Sequence, residues 1–179
     1  MAHALSLQRE RNGVPAAIED DDEHGQATRA LAGRVLYDLN VKQYCAAGLN
    51  FGYYYDQSPV IIYDGAGHPS YSMDTFTAST VPGCRLPHFE LADGTSLYDS
   101  LSNWFTLLVF DGQADTASLT SAAELRGLPL KILHVESGYD LSIYGHKFVI
   151  SRPDFHVAWR GNAIPADALG LVDKLRGAP

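Results

Sequence analysis

Between Phe105 and Val135 the chain runs apolar strand, helix, apolar strand, and that order leaves few folds open. Phe105-Thr106-Leu107-Leu108-Val109-Phe110 is a near-continuous apolar run of the kind found in a strand buried on both faces. Residues 116–126 read as a helix, with Asp115 or Thr116 as its cap and Gly127 at the position after its end. Leu130 to Val135 is a second strand, so the unit predicts a parallel pair joined by a right-handed crossover. Lys147–Ser151 and His156–Arg160 predict a hairpin around Pro153-Asp154-Phe155. Pro165 opens a final helix with Leu169, Val172 and Leu175 on one face and Gly177 at its end. The order β-α-β, then β-β-α, is that of a thioredoxin-like α/β domain, placed here at residues 105–179.

The preceding sequence is less regular. Residues 1–25 carry the acidic run Glu19-Asp20-Asp21-Asp22-Glu23, which repels itself and reads as a flexible, solvated segment. From Gln26 to about Val41, Leu31, Val35 and Leu39 recur every four residues and predict an amphipathic helix. Gly48 to Tyr55 and Val60 to Tyr63 read as extended, being rich in aromatic and β-branched residues. Residues 64–84 form a long connection rich in Gly, Pro, Ser and Thr, and such loops are usually functional or packed on another part of the molecule. Phe89–Leu91 reads as a short strand, Asp93-Gly94 as a turn, and Ser96 with Asp99 as a capping box opening a short helix through Leu101. Residues 26–104 are therefore expected to be a helix plus a loop-rich arm packing on the core.

Thirteen basic against twenty-one acidic residues give a net charge of −8, which argues against nonspecific binding to nucleic acid or an anionic membrane. No stretch of 18 apolar residues spans a membrane and the first residues do not read as a signal peptide, so the expected compartment is the cytoplasm. Cys45 and Cys84 form no CxxC and are expected to be two buried thiols. None of the seven histidines sits in an HxH or HExxH pair, and His134 and His156, alternating with apolar residues, read as structural. Gly65-Ala66-Gly67 imitates a dinucleotide-binding turn but lacks the third glycine and a following helix. No GxSxG elbow is present. Successive residues of a strand alternate faces, so at most two of Tyr53, Tyr54 and Tyr55 share a side. Arg85 and His88, in a turn stiffened by Pro82 and Pro87, are suited to donate hydrogen bonds to carbonyls or a carboxylate across an interface.

Four segments in order resemble the C-terminal region of FAD-dependent aromatic-ring hydroxylases, the phenol, dichlorophenol and 3-(3-hydroxyphenyl)propionate hydroxylase group of flavoprotein monooxygenases. They are Gly48-Leu49-Asn50-Phe51-Gly52-Tyr53-Tyr54-Tyr55 with Ser58-Pro59; Pro82 through His88; Gly94 through Asp99 with Phe105 through Leu108; and Ser151 through Arg160. The resemblance covers residues 26–178. It implies a thioredoxin-like fold without redox cysteines, serving subunit contacts in an oxidoreductase whose FAD and NAD(P)H are bound elsewhere. Three departures stand out. Tyr54 replaces a common arginine, removing any ion pair made there; Asp154-Phe155 replaces the usual Asp-Gly, predicting a turn of a different type; and Asn103 stands near a family glycine.

No catalytic, cofactor-binding or metal-binding residue is expected in this chain. Asn50, Tyr53, Tyr55, Arg85 and His88 are the candidate interface or ligand contacts. The expected role is that of a C-terminal portion, or separate copy, of such a hydroxylase, acting in folding, oligomerisation and contact with a flavin-binding domain or separate flavoprotein. A homodimer is expected to cover an apolar patch on the 26–41 helix and the 48–63 segment. The alternatives are a stand-alone binding module for a small aromatic compound and a small thiol enzyme, which would need Cys45 and Cys84 close together or one of them exposed beside a cation.

Overall fold

Four strands form one sheet in the order β2-β1-β3-β4: β1 Phe105–Val109, β2 Leu130–His134, β3 Phe148–Ser151 and β4 Val157–Gly161. The protein is described from a computed structural model, covering residues 15–136 and 142–178. The expected tail at residues 1–14, with His3, and the side chain of Leu39 lie outside the described residues. β1 is parallel to β2, with Leu107 opposite Ile132, and antiparallel to β3, with Leu108 opposite Val149. β3 and β4 are antiparallel, so the sheet has the predicted thioredoxin-like order. The helices are α1 Glu23–Tyr44, α2 Ala47–Phe51, α3 Leu97–Ser100, α4 Ala117–Arg126 and α5 Ala168–Leu175.

Strand alternation sorts the core into two layers. Leu107, Val109, Phe148 and Ile150 pack with Leu119 and Ala122 of α4 and Leu171, Val172 and Leu175 of α5. Leu108, Val149 and Val157 face the other way and pack with Leu86, Leu97, Val135 and Tyr144. β1 is thus buried on both faces, helices covering one and the arm the other. Tyr144 donates its hydroxyl to the carbonyl of Pro87, and burial pushes that phenol far above the ordinary tyrosine range. Arg126 of α4 reaches the Asp173 carboxylate of α5 at 2.9 Å, joining the two helices on their exposed side.

The described residues fall into two units. One runs to Asn50 and includes Ser72–Phe76; the other holds Phe51–Tyr71 and everything from Thr77 onward. In the first, residues 15–25 of the segment expected at 1–25 carry local structure. Ala16–Glu19 forms a 3-10 turn, Asp22 accepts the Gly25 N–H at 2.7 Å, and Arg29 donates to the carbonyls of Ile18 and Asp20. The Asp22 cap starts α1 three residues earlier than the apolar pattern does. The segment from Gly48, expected to be extended, begins as helix α2. A Cβ on Gly48 would lie 1.7 Å from the Ser72 carbonyl oxygen, and Leu49 N–H donates to the Met73 carbonyl at 3.0 Å. Close packing on residues 72–73 therefore needs the glycine and selects the helical turn over a strand.

Other expectations change in detail. Val60–Tyr63 is not a strand, although Ile61 is fully buried and Ile62 N–H donates to the Ala158 carbonyl at 2.8 Å. Phe89–Leu91 contributes one bridge, Glu90 with Ser96, around the Asp93-Gly94 turn. Ser96 precedes α3 but makes no side-chain cap; its hydroxyl is 2.9 Å from His88 Nε2 instead. α5 starts at Ala168 because Asp167 accepts the Gly170 N–H at 2.8 Å, and this rotates Leu169 outward while Leu171 takes the buried place.

The hairpin turn corrects another expectation. Phe155 has φ +62°, the only positive φ outside glycine among the described residues, and its N–H donates to the Arg152 carbonyl at 3.0 Å. Three loop residues ending in a left-handed one form the turn that normally takes glycine there. The turn therefore keeps a glycine-type backbone and Phe155 bears its strain, while Asn103 adopts no left-handed conformation. The Phe155 ring stacks on Tyr98 at 4.9 Å, which offsets that strain. Phe155→Gly is expected to be more stable than Phe155→Ala by about 1 kcal/mol in chemical denaturation. An alanine variant equal or superior to the glycine variant would place φ on the negative side.

Candidate functional site

The arm meets the sheet at the outer edge of β4. Gly83 N–H donates to the Val157 carbonyl at 2.8 Å, Val157 N–H to Cys84 at 2.9 Å and Leu86 N–H to Phe155 at 2.7 Å. This antiparallel ladder places Arg85 opposite His156. A second layer follows, with Tyr54 opposite Cys84 and Tyr55 N–H donating to the Gly83 carbonyl at 3.0 Å. Gly83 has φ +99°, and a Cβ there would lie 2.0 Å from the Tyr55 carbonyl oxygen. Only glycine allows both the conformation and the approach.

Side chains at this edge gather around His156, which is completely buried. Tyr53 and Tyr55 lie 5.0 and 4.8 Å from its ring, and 6.4 Å from each other edge to face. Tyr54 turns away and stacks on His68 at 4.3 Å. His156 Nδ1 donates to the Asp154 carbonyl at 2.9 Å, since that oxygen only accepts. Nε2 is buried and has no hydrogen-bond partner among the described residues. Arg152 grips the Asp154 carboxylate with two bonds of 3.1 Å and lies 5.5 Å above the Tyr55 ring. Burial opposes ionisation of Asp154, but hydrogen bonds from His156 and Arg152 and the Arg152 charge prevail and hold it well below the usual carboxylate range. Burial, the Asp154 charge and Tyr53 together raise the Tyr55 phenol, with Arg152 opposing.

Arg85, the cross-strand neighbour of His156, occupies an aromatic nest. Its guanidinium carbon lies 5.4 Å from the ring centres of Phe51 and Tyr98 and 5.5 Å from that of Phe155. His88 sits at the far side of Tyr98, edge to face at 5.3 Å, bound to Ser96. Tyr53, Tyr55 and Arg85 thus come together, His88 touches the group through Tyr98, and Asn50 is an exposed residue of the other unit. Sequence reasoning left out Phe51, Tyr98, Arg152, Asp154 and Phe155. The one available signal was Arg152-Pro153-Asp154-Phe155-His156, where a tight turn returns both charged groups beside the histidine.

The remaining candidates have other surroundings. Gly65 and Ala66 form a turn in which Asp64 accepts the Ala66 N–H at 3.0 Å, and no helix occurs between residues 64 and 96, so no helix N-terminus follows to meet a pyrophosphate. Asp64 instead pairs with Arg160 at 2.7 Å. Burial raises the Cys84 thiol, against a bond to Ser79 and the Arg160 charge, which disfavours the reactive thiolate. Cys45 is exposed rather than buried, because it follows the last turn of α1. His134 is exposed at the end of β2. No group of three metal-ligating side chains occurs among the described residues, and none of their helices is long and apolar enough to cross a membrane.

These features define a thioredoxin-like α/β domain without a redox thiol pair, its sheet edge closed by an aromatic arm. Residues 79–178 match the family model described as aromatic-ring hydroxylase, C-terminal, and the chain belongs to that family. It is 30% identical to phenol 2-monooxygenase of Pseudomonas sp. (strain EST1001), over 90% of this chain and 30% of that protein. It is also 30% identical to the FAD-dependent monooxygenase apdD of Emericella nidulans, over 91% of this chain and 25% of that protein. Among solved structures, the rebeccamycin biosynthetic enzyme RebC with reduced flavin superposes with a TM-score of 0.78 at 31% identity, over 99% of this chain and 33% of that one. The chain therefore spans 30% and 25% of the length of these two curated relatives.

Asp154 gives the site a defined pH dependence. A carboxyl group whose folded pKa is depressed stabilises the fold above its unfolded value, about 4, and loses that contribution as pH falls toward the folded value. Asp154→Asn is expected to cost about 1–2 kcal/mol at neutral pH, a figure reduced for solvent screening of a carboxylate that is one-third exposed. The gap from wild type narrows as pH drops below about 4. A gap independent of pH would show that the charge is not what Arg152 and His156 hold.

Proposed function

We propose that this chain works as the non-catalytic C-terminal domain of an FAD-dependent aromatic-ring monooxygenase. In this reading FAD and NAD(P)H belong to a flavin-binding part, and this domain supports its folding, contacts and assembly. The observation that carries the reading is the family match, taken with the small share of each monooxygenase that the chain spans. The site agrees in kind. Its ionisable groups Arg152 and Asp154 are spent on each other, Cys84 is disfavoured as a thiolate, and the glycine turn at Asp64 has no helix behind it. Leu31 and Val35, one turn apart on α1, are 63% and 57% exposed and supply an apolar stripe for a second copy of the domain.

The test is a chimera in which this chain replaces the matched C-terminal segment of Pseudomonas phenol 2-monooxygenase, beside the same enzyme lacking that segment. The chimera is expected to retain FAD through gel filtration and to elute as a dimer, with the truncated enzyme losing flavin or aggregating. A truncated enzyme that keeps its flavin, its assembly and its turnover would refute the role given to this domain.

A further inference from the structure

In the unit that contains the sheet, each described arginine except Arg85 has an oxygen partner. Arg126 and Arg176 pair with Asp173, Arg152 with Asp154 and Arg160 with Asp64. Arg85 makes no hydrogen bond or ion pair among the described residues, although it is half-buried and held between three rings. Rings supply a face to a guanidinium but satisfy none of its in-plane N–H donors. A fixed planar fork with free donors fits a carboxylate, which accepts two parallel bonds from it. Across the ladder, His156 Nε2 is buried and has no hydrogen-bond partner among the described residues. Phe51, Tyr53 and Tyr55 extend the same surface and are 46%, 44% and 37% exposed. Large exposed aromatics around an unpaired arginine have the composition of an interface centre. The chain's net charge of −8 disfavours a polyanion there and leaves a single acidic side chain on an apolar surface as the matching partner.

We propose that this aromatic face is where the flavin-binding part docks, and that an Asp or Glu side chain of that part seats on Arg85. The occupant follows from the relatives: this chain covers only 33% of RebC, which leaves two-thirds of that polypeptide to supply a surface beside this domain. The docking rests on the function proposed above, whereas the carboxylate preference of Arg85 stands on its own geometry.

Two measurements separate the two. On the 179-residue chain, the Arg85 Nε–Hε resonance is followed by NMR while sodium benzoate, and separately phenol, is added. Benzoate is expected to shift that resonance saturably and phenol to leave it in place, with the Arg126 signal unmoved by either. A still Arg85 resonance overturns the carboxylate site. In the phenol 2-monooxygenase chimera, flavin fluorescence reports the temperature of FAD release. Arg85→Glu is expected to lower it by about 4 °C or more, and Arg85→Lys by less. The exposed control Lys174→Glu leaves it unchanged, and melting of the isolated chain carrying Arg85→Glu shows that the domain still folds. An Arg85→Glu chimera that releases FAD at the wild-type temperature overturns the docking, and a benzoate response would then assign Arg85 to a free carboxylate ligand. A wild-type chimera that holds no FAD refutes the underlying functional reading and the docking with it, while the benzoate titration still decides the chemistry of Arg85.

Discussion

Three backbone hydrogen bonds between residues 83–86 and 155–157 fix the relation of the arm to the sheet. They cover the outer edge of β4, which would otherwise present unpaired N–H and C=O groups to any passing strand. They also set Arg85 opposite His156 and bring the Tyr53–Tyr55 segment alongside. The ladder depends on Gly83, whose missing side chain lets the Tyr55 carbonyl approach, and on Phe155, which accepts a left-handed backbone so that the turn can return His156 to the edge. The second layer of the core has the same origin: Leu86 is held against Val149 and Val157 by the strand pairing that begins three residues earlier.

The sheet was legible in the sequence because its signals are local and redundant. Phe105–Phe110, the helix ending at Gly127 and the run from Leu130 each carry period, caps and length together, and their order fixes the pairing. The arm was less legible because single long-range contacts decide its conformation. Gly48 looks like a strand breaker, but the Ser72 carbonyl close to its Cα makes it the start of a helical turn. Ser96 looks like a cap, but His88 takes its hydroxyl. Phe155 looks incompatible with a glycine turn, yet stacking on Tyr98 and the packing of Arg85 keep it there. Tyr53, Tyr55 and Arg85 could be picked out one by one, whereas Arg152, Asp154 and Tyr98 join them only because the hairpin folds back on the arm.

The polar groups of the site are largely engaged with one another, and its accessible face is aromatic. Asp154 is locked by Arg152, the His156 ring is oriented by a backbone carbonyl, and the exposed surface is aromatic. On the function proposed above, this is the surface that the flavin-binding part would cover. It also accounts for the economy of the thioredoxin-like frame here: the scaffold keeps the sheet and the α4–α5 layer, dispenses with paired thiols, and devotes its β4 edge to holding aromatic side chains in place.

Amide hydrogen exchange on the chain tests the central role of this edge most directly. If the ladder is an integral part of the sheet, the amides of Gly83, Leu86 and Val157 exchange only through global unfolding, at the same protection as Leu108 in β1. If those three amides exchange a hundredfold or more faster than Leu108 under native conditions, the arm frays independently of the sheet, and Arg85 and His156 are not held in the arrangement on which the account depends.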